Sequence, residues 1–85
     1  MLYINNKKGM KTYKKSEFGT AQIAEILPGQ SVVVECKNAR EVHNVRMLAC
    51  QYRRLSTPAN ILRYATECEL GDDGTHFLTM TAVKA

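Results

Sequence analysis

Hydrophobic positions along the chain follow two periods. From Ser31 to Cys36 three successive valines favour a strand, with Val32, Val34 and Cys36 sharing one face. Between Ala39 and Leu55 the period lengthens. Val42, Val45, Leu48, Ala49, Tyr52 and Leu55 recur at helical spacing and predict one buried stripe. Ile61 to Leu70 returns to a period of two, with Leu62, Tyr64, Thr66, Cys68 and Leu70 on the inward side and Arg63, Ala65, Glu67 and Glu69 on the other. Thr75 to Val83 also alternates, placing Phe77, Thr79, Thr81 and Val83 opposite His76, Leu78, Met80 and Ala82. Both of its faces are fairly apolar, which predicts a central strand.

The punctuation agrees with these elements. Residues 21–27 place Ile23, Ile26 and Leu27 at helical spacing, as a short helix or a packed irregular segment. Pro28-Gly29 then suits a type II turn, because Gly29 accepts a positive φ. Asn38 is a suitable N-cap, with Glu41 three residues on as the capping acid. Ser56-Thr57-Pro58 ends the helix, since a proline bars helical geometry at the residue before it. Gly71-Asp72-Asp73-Gly74 reads as a hairpin turn with two glycines for positive φ.

The resulting architecture is α+β: a small β-α-β-β domain with a three-stranded, mainly antiparallel sheet packed on one helix. The predicted spatial order of the strands is first, third, second, with a right-handed crossover through the helix. Residues 16–85 form this domain. Residues 1–15 carry Lys7, Lys8, Lys11, Lys14 and Lys15 without an acid, and are expected to be a flexible or loosely docked basic arm. Met10 opens an alternative start, so the first nine residues read as an extension the fold does not need. The second sheet face is left exposed, or covered by that segment or by a partner.

A chain of 85 residues makes one domain with a small core. Its net charge of +4 permits a polyanionic partner without requiring one, so the placement of charge matters more than its total. The three cysteines, Cys36, Cys50 and Cys68, are odd in number and contain no CxxC pair. With no signal-peptide pattern and no membrane-length apolar run, a cytoplasmic protein with free thiols is expected. Cys68 is expected as a small buried hydrophobe.

On the helix, Arg40, Arg46, Arg53 and Arg54, with His43, project onto one arc of about 140° at about 100° per residue. No acid shares that arc, whereas Glu67, Glu69, Asp72 and Asp73 gather on the hairpin. Such a ridge attracts phosphate backbones, and the arginine fork bonds two oxygens at once. Lys11, Lys14 and Lys15 extend the attraction as part of the arm, and Asn44 and Gln51 offer amides beside the ridge. The competing view is a solvated helix face, with Arg46 and Arg53 salt-bridged to Glu67 or Glu69. No helix-turn-helix, zinc-finger or RNP pattern is present.

Enzymatic chemistry is not expected. His43 and His76 lack metal-pair spacing, and a zinc site needs about four ligands. His43 lies seven residues from Cys50, about 10 Å along a helix axis, too far for a nucleophile–base pair. Glu67 and Glu69 read as solubilising acids, and no glycine loop precedes a helix to cradle phosphate. No metal or cofactor is therefore expected.

The stretch Leu27-Pro28-Gly29-Gln30-Ser31-Val32, then Val45-Arg46-Met47-Leu48-Ala49, then Thr79-Met80-Thr81-Ala82-Val83 resembles a group of small uncharacterised phage and mobile-element proteins. These share a Pro-Gly-x-Ser-Val strand start, a Val-Arg-x-x-Ala helix and a Thr-rich closing strand. The resemblance covers residues 25–83. The chain departs from it at Val83-Lys84-Ala85, where a Thr-Arg-type ending is usual. It implies an accessory role in a phage or bacterial host and brings no functional residues. The expected function is thus a non-enzymatic accessory protein binding DNA or RNA. The alternative is a protein-interaction module, as a homodimer or with a host protein, acting through the open sheet face or the free edge of the first strand.

Overall fold

In the computed structural model, residues 11–85 are described. They form a strand β1 (Lys11–Lys14), a 3-10 turn (Lys15–Glu17), a short helix α1 (Thr20–Ala24), β2 (Ser31–Cys36), α2 (Ala39–Ser56), β3 (Ile61–Leu70) and β4 (His76–Lys84). The fold is α+β, with a mixed sheet in the order β1-β2-β4-β3. β4 lies antiparallel to both β2 and β3, as its two apolar faces imply.

The sheet has four strands rather than three. β1 pairs in parallel with β2, placing Tyr13 beside Val34, within a segment expected to be a flexible arm. One aromatic anchors it: Tyr13 is half-buried, its ring 5.5 Å from that of buried Phe18 and tilted by 55°. The arm residues 1–10, including Lys7 and Lys8, lie outside the described residues. β1 also occupies the free side of β2, so the first-strand edge considered for partner binding is closed; among the described residues the sheet's edges are β1 and β3.

The core lies between one sheet face and the helices. Val32, Val34 and Cys36 of β2 and Leu78, Met80 and Ala82 of β4 meet Val42, Val45 and Ala49 of α2, with Phe18, Ile23 and Ile26 from the α1 segment. These positions follow the periods read from the chain. Among the described residues no secondary-structure element packs on the opposite face, and no helix is long and apolar enough to cross a membrane.

The turns close as their residues dictate. Gly29 takes φ 87° and Gln30 N donates to the Leu27 carbonyl at 2.9 Å, completing the Pro28-Gly29 turn. Thr57, denied the right-handed helical region by Pro58, adopts φ 40°, ψ 62° and ends α2 by donating to the Arg53 carbonyl. In the hairpin only Gly74 needs a positive φ, of 88°. Gly71 is glycine for a different reason: a Cβ there would sit 2.8 Å from the Phe77 ring.

Four inward assignments are corrected. Leu55 is 83% exposed, because it lies on the last turn of α2 where α1 offers only Thr20, Ala21 and Ala24 as neighbours around a depression of about 400 Å³. Leu62 is 51% exposed, because a bulge between Ile61 and Arg63 takes it out of the pleat and lets Ile61 pack on the core instead. Cys68 and Leu70 are exposed, because α2 reaches only the first half of β3, through Arg53 at Leu62 and Arg46 at Thr66.

Candidate nucleic-acid interface

α2 starts where Asn38, in extended geometry, accepts a hydrogen bond from Glu41 N at 3.0 Å. The Glu41 carboxylate in turn accepts from Lys37 N at 2.7 Å. This fixes the helix phase, and with it the side chains flanking Val42, Val45 and Ala49. Arg46 and Arg53, seven residues apart, emerge on the β3 side of that stripe. Arg46 Nε donates to Thr66 Oγ1 at 3.0 Å, and Arg53 Nε donates to the Leu62 carbonyl. Both arginines therefore bond neutral oxygens of β3 through Nε.

Each of these bonds uses Nε. A guanidinium has five N–H donors, so a bond through Nε leaves the Nη pair of each fork able to meet another oxygen. Arg46, Cys50, Arg53, Arg63, Tyr64 and Thr66 border a depression of about 290 Å³ between α2 and β3, with no carboxylate in its lining. Arg54, one turn after Cys50, donates Nη2 to its Sγ at 3.9 Å. Arg53 and Arg54 also sit in the last turn, where positive charge compensates the helix dipole.

Tyr64 closes the floor. Its ring packs edge-on to Tyr52 at 6.2 Å, and its hydroxyl is shielded from solvent with no hydrogen-bond partner among the described residues. Burial pushes the Tyr64 pKa up from its usual 10.0, with Tyr52 adding to the shift.

The remaining expected site residues do not all join this group. Arg40 and His43 are exposed on the first turns of α2. Lys11 and Lys14 are exposed on β1, at the opposite edge of the sheet, three strand spacings or about 14 Å from β3. Lys14 and Lys15 instead line a second depression of about 580 Å³ with Lys37, Cys36, Glu35 and Glu41. Its two carboxylates offset most of the lysine charge, which leaves the α2–β3 depression as the more strongly cationic of the two. The buried Cys36 thiol beside it is pushed up in pKa by burial first, then by Glu41 and Cys68, with Lys15 pulling it down. Gln51 faces the α1–α2 depression and not the arginines.

Arg63, Tyr64 and Thr66 were not expected here. Alternation and register both put Arg63 on the face away from α2, aligned with Val83, and it borders the depression from the β3 edge. The structure also pairs different sulfur and imidazole groups from those weighed in the sequence: exposed Cys68 lies with Sγ 3.8 Å from His76 Nδ1, while Cys50 is bonded to Arg54. Among the described residues no group of three or more His, Cys, Asp or Glu side chains is placed to hold a metal. No family model, no curated protein and no solved structure matches the chain.

Proposed function

We propose that this protein is a non-enzymatic accessory factor that binds the phosphate backbone of DNA or RNA through the α2–β3 arginine depression. The observation that carries the reading is the state of Arg46 and Arg53. Each is exposed, anchored by Nε to a neutral oxygen of β3, and free of a carboxylate in the shared depression. The anchors hold the outer edges of the two forks in place, so little side-chain entropy remains to be lost on meeting a phosphate. Arg54, Arg40 and His43 continue the positive face along α2, and Lys11, Lys14 and Lys15 supply more diffuse attraction from the β1 side. Work in the reducing cytoplasm, with Cys36, Cys50 and Cys68 as free thiols, belongs to the same proposal.

The test is a fluorescence-anisotropy titration with short single- and double-stranded DNA and RNA across a salt series. Replacing Arg46 and Arg53 with Ala removes two phosphate contacts. The slope of log K against log salt on duplex DNA then becomes shallower by about 1.8, at about 0.9 per contact. Circular dichroism confirms that the variant folds. Binding insensitive to salt, or unchanged in the double variant, refutes the reading.

A further inference from the structure

Among the described residues β3 forms one edge of the sheet, and no strand pairs with its outer side. Exposed edges are normally blunted by lysines, prolines or bulges. From Ile61 to Leu70 there is no lysine and no proline, and the one bulge lies at the start, where Arg53 also occupies the Leu62 carbonyl. Beyond it, Arg63 to Leu70 is a regular strand. The other edge is different: β1 has four residues, two of them the exposed lysines Lys11 and Lys14, which repel a second copy.

The charges on β3 are ordered for self-recognition. Arg63, Ala65 and Glu67 lie on the same face, aligned with Val83, Thr81 and Thr79 of β4. Consider a second copy pairing antiparallel along this edge about a two-fold axis at Ala65. Arg63 then stands opposite Glu67 of the second copy, and Glu67 opposite its Arg63. The two Ala65 methyls meet on the axis. Tyr64 falls opposite Thr66 of the second copy on the helix-facing side. A cationic and an anionic residue symmetric about a small one make the strand complementary to itself, as an isologous interface requires. Charges of a single sign would defend the edge by repulsion; this arrangement attracts.

We propose that the protein forms a homodimer through antiparallel pairing of β3 with β3 of a second copy, in the register centred on Ala65, giving a continuous eight-stranded sheet. The proposal goes beyond the nucleic-acid reading and does not rest on it, since it is measured without nucleic acid. Within the dimer Arg63 engages Glu67 of the second copy, leaving Arg46 and Arg53 of each copy as the phosphate-facing pair.

The test is sedimentation velocity and light scattering on the wild-type chain and on Arg63→Glu, Glu67→Arg and the double variant Arg63→Glu/Glu67→Arg, up to about 200 µM. A concentration-dependent wild-type dimer is expected. Each single swap places like charges opposite at two symmetric positions and raises the dimer Kd about thirty-fold, equivalent to about 2 kcal/mol. The double variant restores the dimer. An equimolar mixture of the two single variants forms a heterodimer, because one chain then carries two acids and the other two arginines. A wild-type chain that is monomeric throughout, or a dimer indifferent to both single swaps, overturns the proposal. Both positions are exposed, so the variants are expected to fold, and circular dichroism verifies it.

Discussion

The Tyr64 hydroxyl gives the sharpest check on the packing around the arginine depression. It is shielded from solvent and has no hydrogen-bond partner among the described residues, while the ring beneath it packs edge-on to Tyr52 at 6.2 Å. Tyr64→Phe keeps the ring, the Tyr52 contact and the packing against the core, and removes only the orphaned hydroxyl. Burying a hydroxyl without a bond costs about 1–3 kcal/mol in protein mutational series. Tyr64 as a whole is only half-buried, which argues for the low end, so a gain of about 1 kcal/mol is expected. For a domain of this size that raises Tm by about 4–8 °C. Urea and thermal unfolding measure it. An alkaline titration adds a second readout. Desolvation raises the folded pKa of Tyr64 above 10.0, so the folded state holds the proton more tightly than the unfolded chain. This contribution is fully present below pH 10 and is lost as pH rises through the folded pKa. The Phe variant therefore loses less stability on the alkaline side than the wild type. A Phe variant destabilised by about 1 kcal/mol or more refutes the assignment of an unpartnered hydroxyl.

Three further outcomes follow from single contacts. Gly71→Ala pushes a methyl to 2.8 Å from the Phe77 ring and 3.3 Å from the Thr75 carbonyl, and urea unfolding should show a loss of about 1–3 kcal/mol. Asn38→Ala removes the cap on Glu41 N and should cost about 1 kcal/mol, seen as a lower urea midpoint at constant m. Asp73 accepts from Thr75 N at 3.0 Å, and its bonds to Thr75 hold its pKa below the usual 3.8. Its contribution is present above pH 3.8 and is lost as pH falls through the depressed value, so Asp73→Asn should flatten the acid limb of the stability profile.

What the sequence made legible depended on how many residues repeat each signal. β2, α2, β3 and β4, their order and the central place of β4 rest on patterns six to eighteen residues long, and the structure reproduces them. β1 has four residues with a single inward aromatic among lysines, too few to show a period, and Tyr13 declares its role only when Phe18 is beside it. On β3 the alternation was real but its consequence was not uniform. A strand pattern says which face a residue occupies, not whether a helix reaches that far, and so Cys68 and Leu70 share the inward face yet remain exposed. Within the candidate site, Arg46 and Arg53 share a flank by their spacing of seven along a helix. Arg63, Tyr64 and Thr66 belong to a different element, and their place beside the arginines depends on the packing of α2 against the β3 edge, which charge spacing does not encode.

The choice of arginine at positions 46 and 53 has a physical reason in the way α2 meets β3. The Nε of each side chain is spent on the strand, on Thr66 Oγ1 and on the Leu62 carbonyl. A lysine has one nitrogen at its end; satisfying the strand oxygen would point its charge inward, and facing solvent would leave that oxygen without a donor. Arginine separates the two tasks between Nε and the Nη pair. The Leu62 carbonyl lies at the bulge, where the strand is least regular, so the Arg53 contact shields the one part of the edge that the β4 register leaves disturbed. The same side chains that set positive charge over the depression thereby help define where β3 becomes a regular edge, from Arg63 onward. The proposed phosphate binding and the proposed edge pairing would thus use adjacent parts of one strand, with Arg46 and Arg53 bonded on its helix side and Arg63 and Glu67 aligned on the other face.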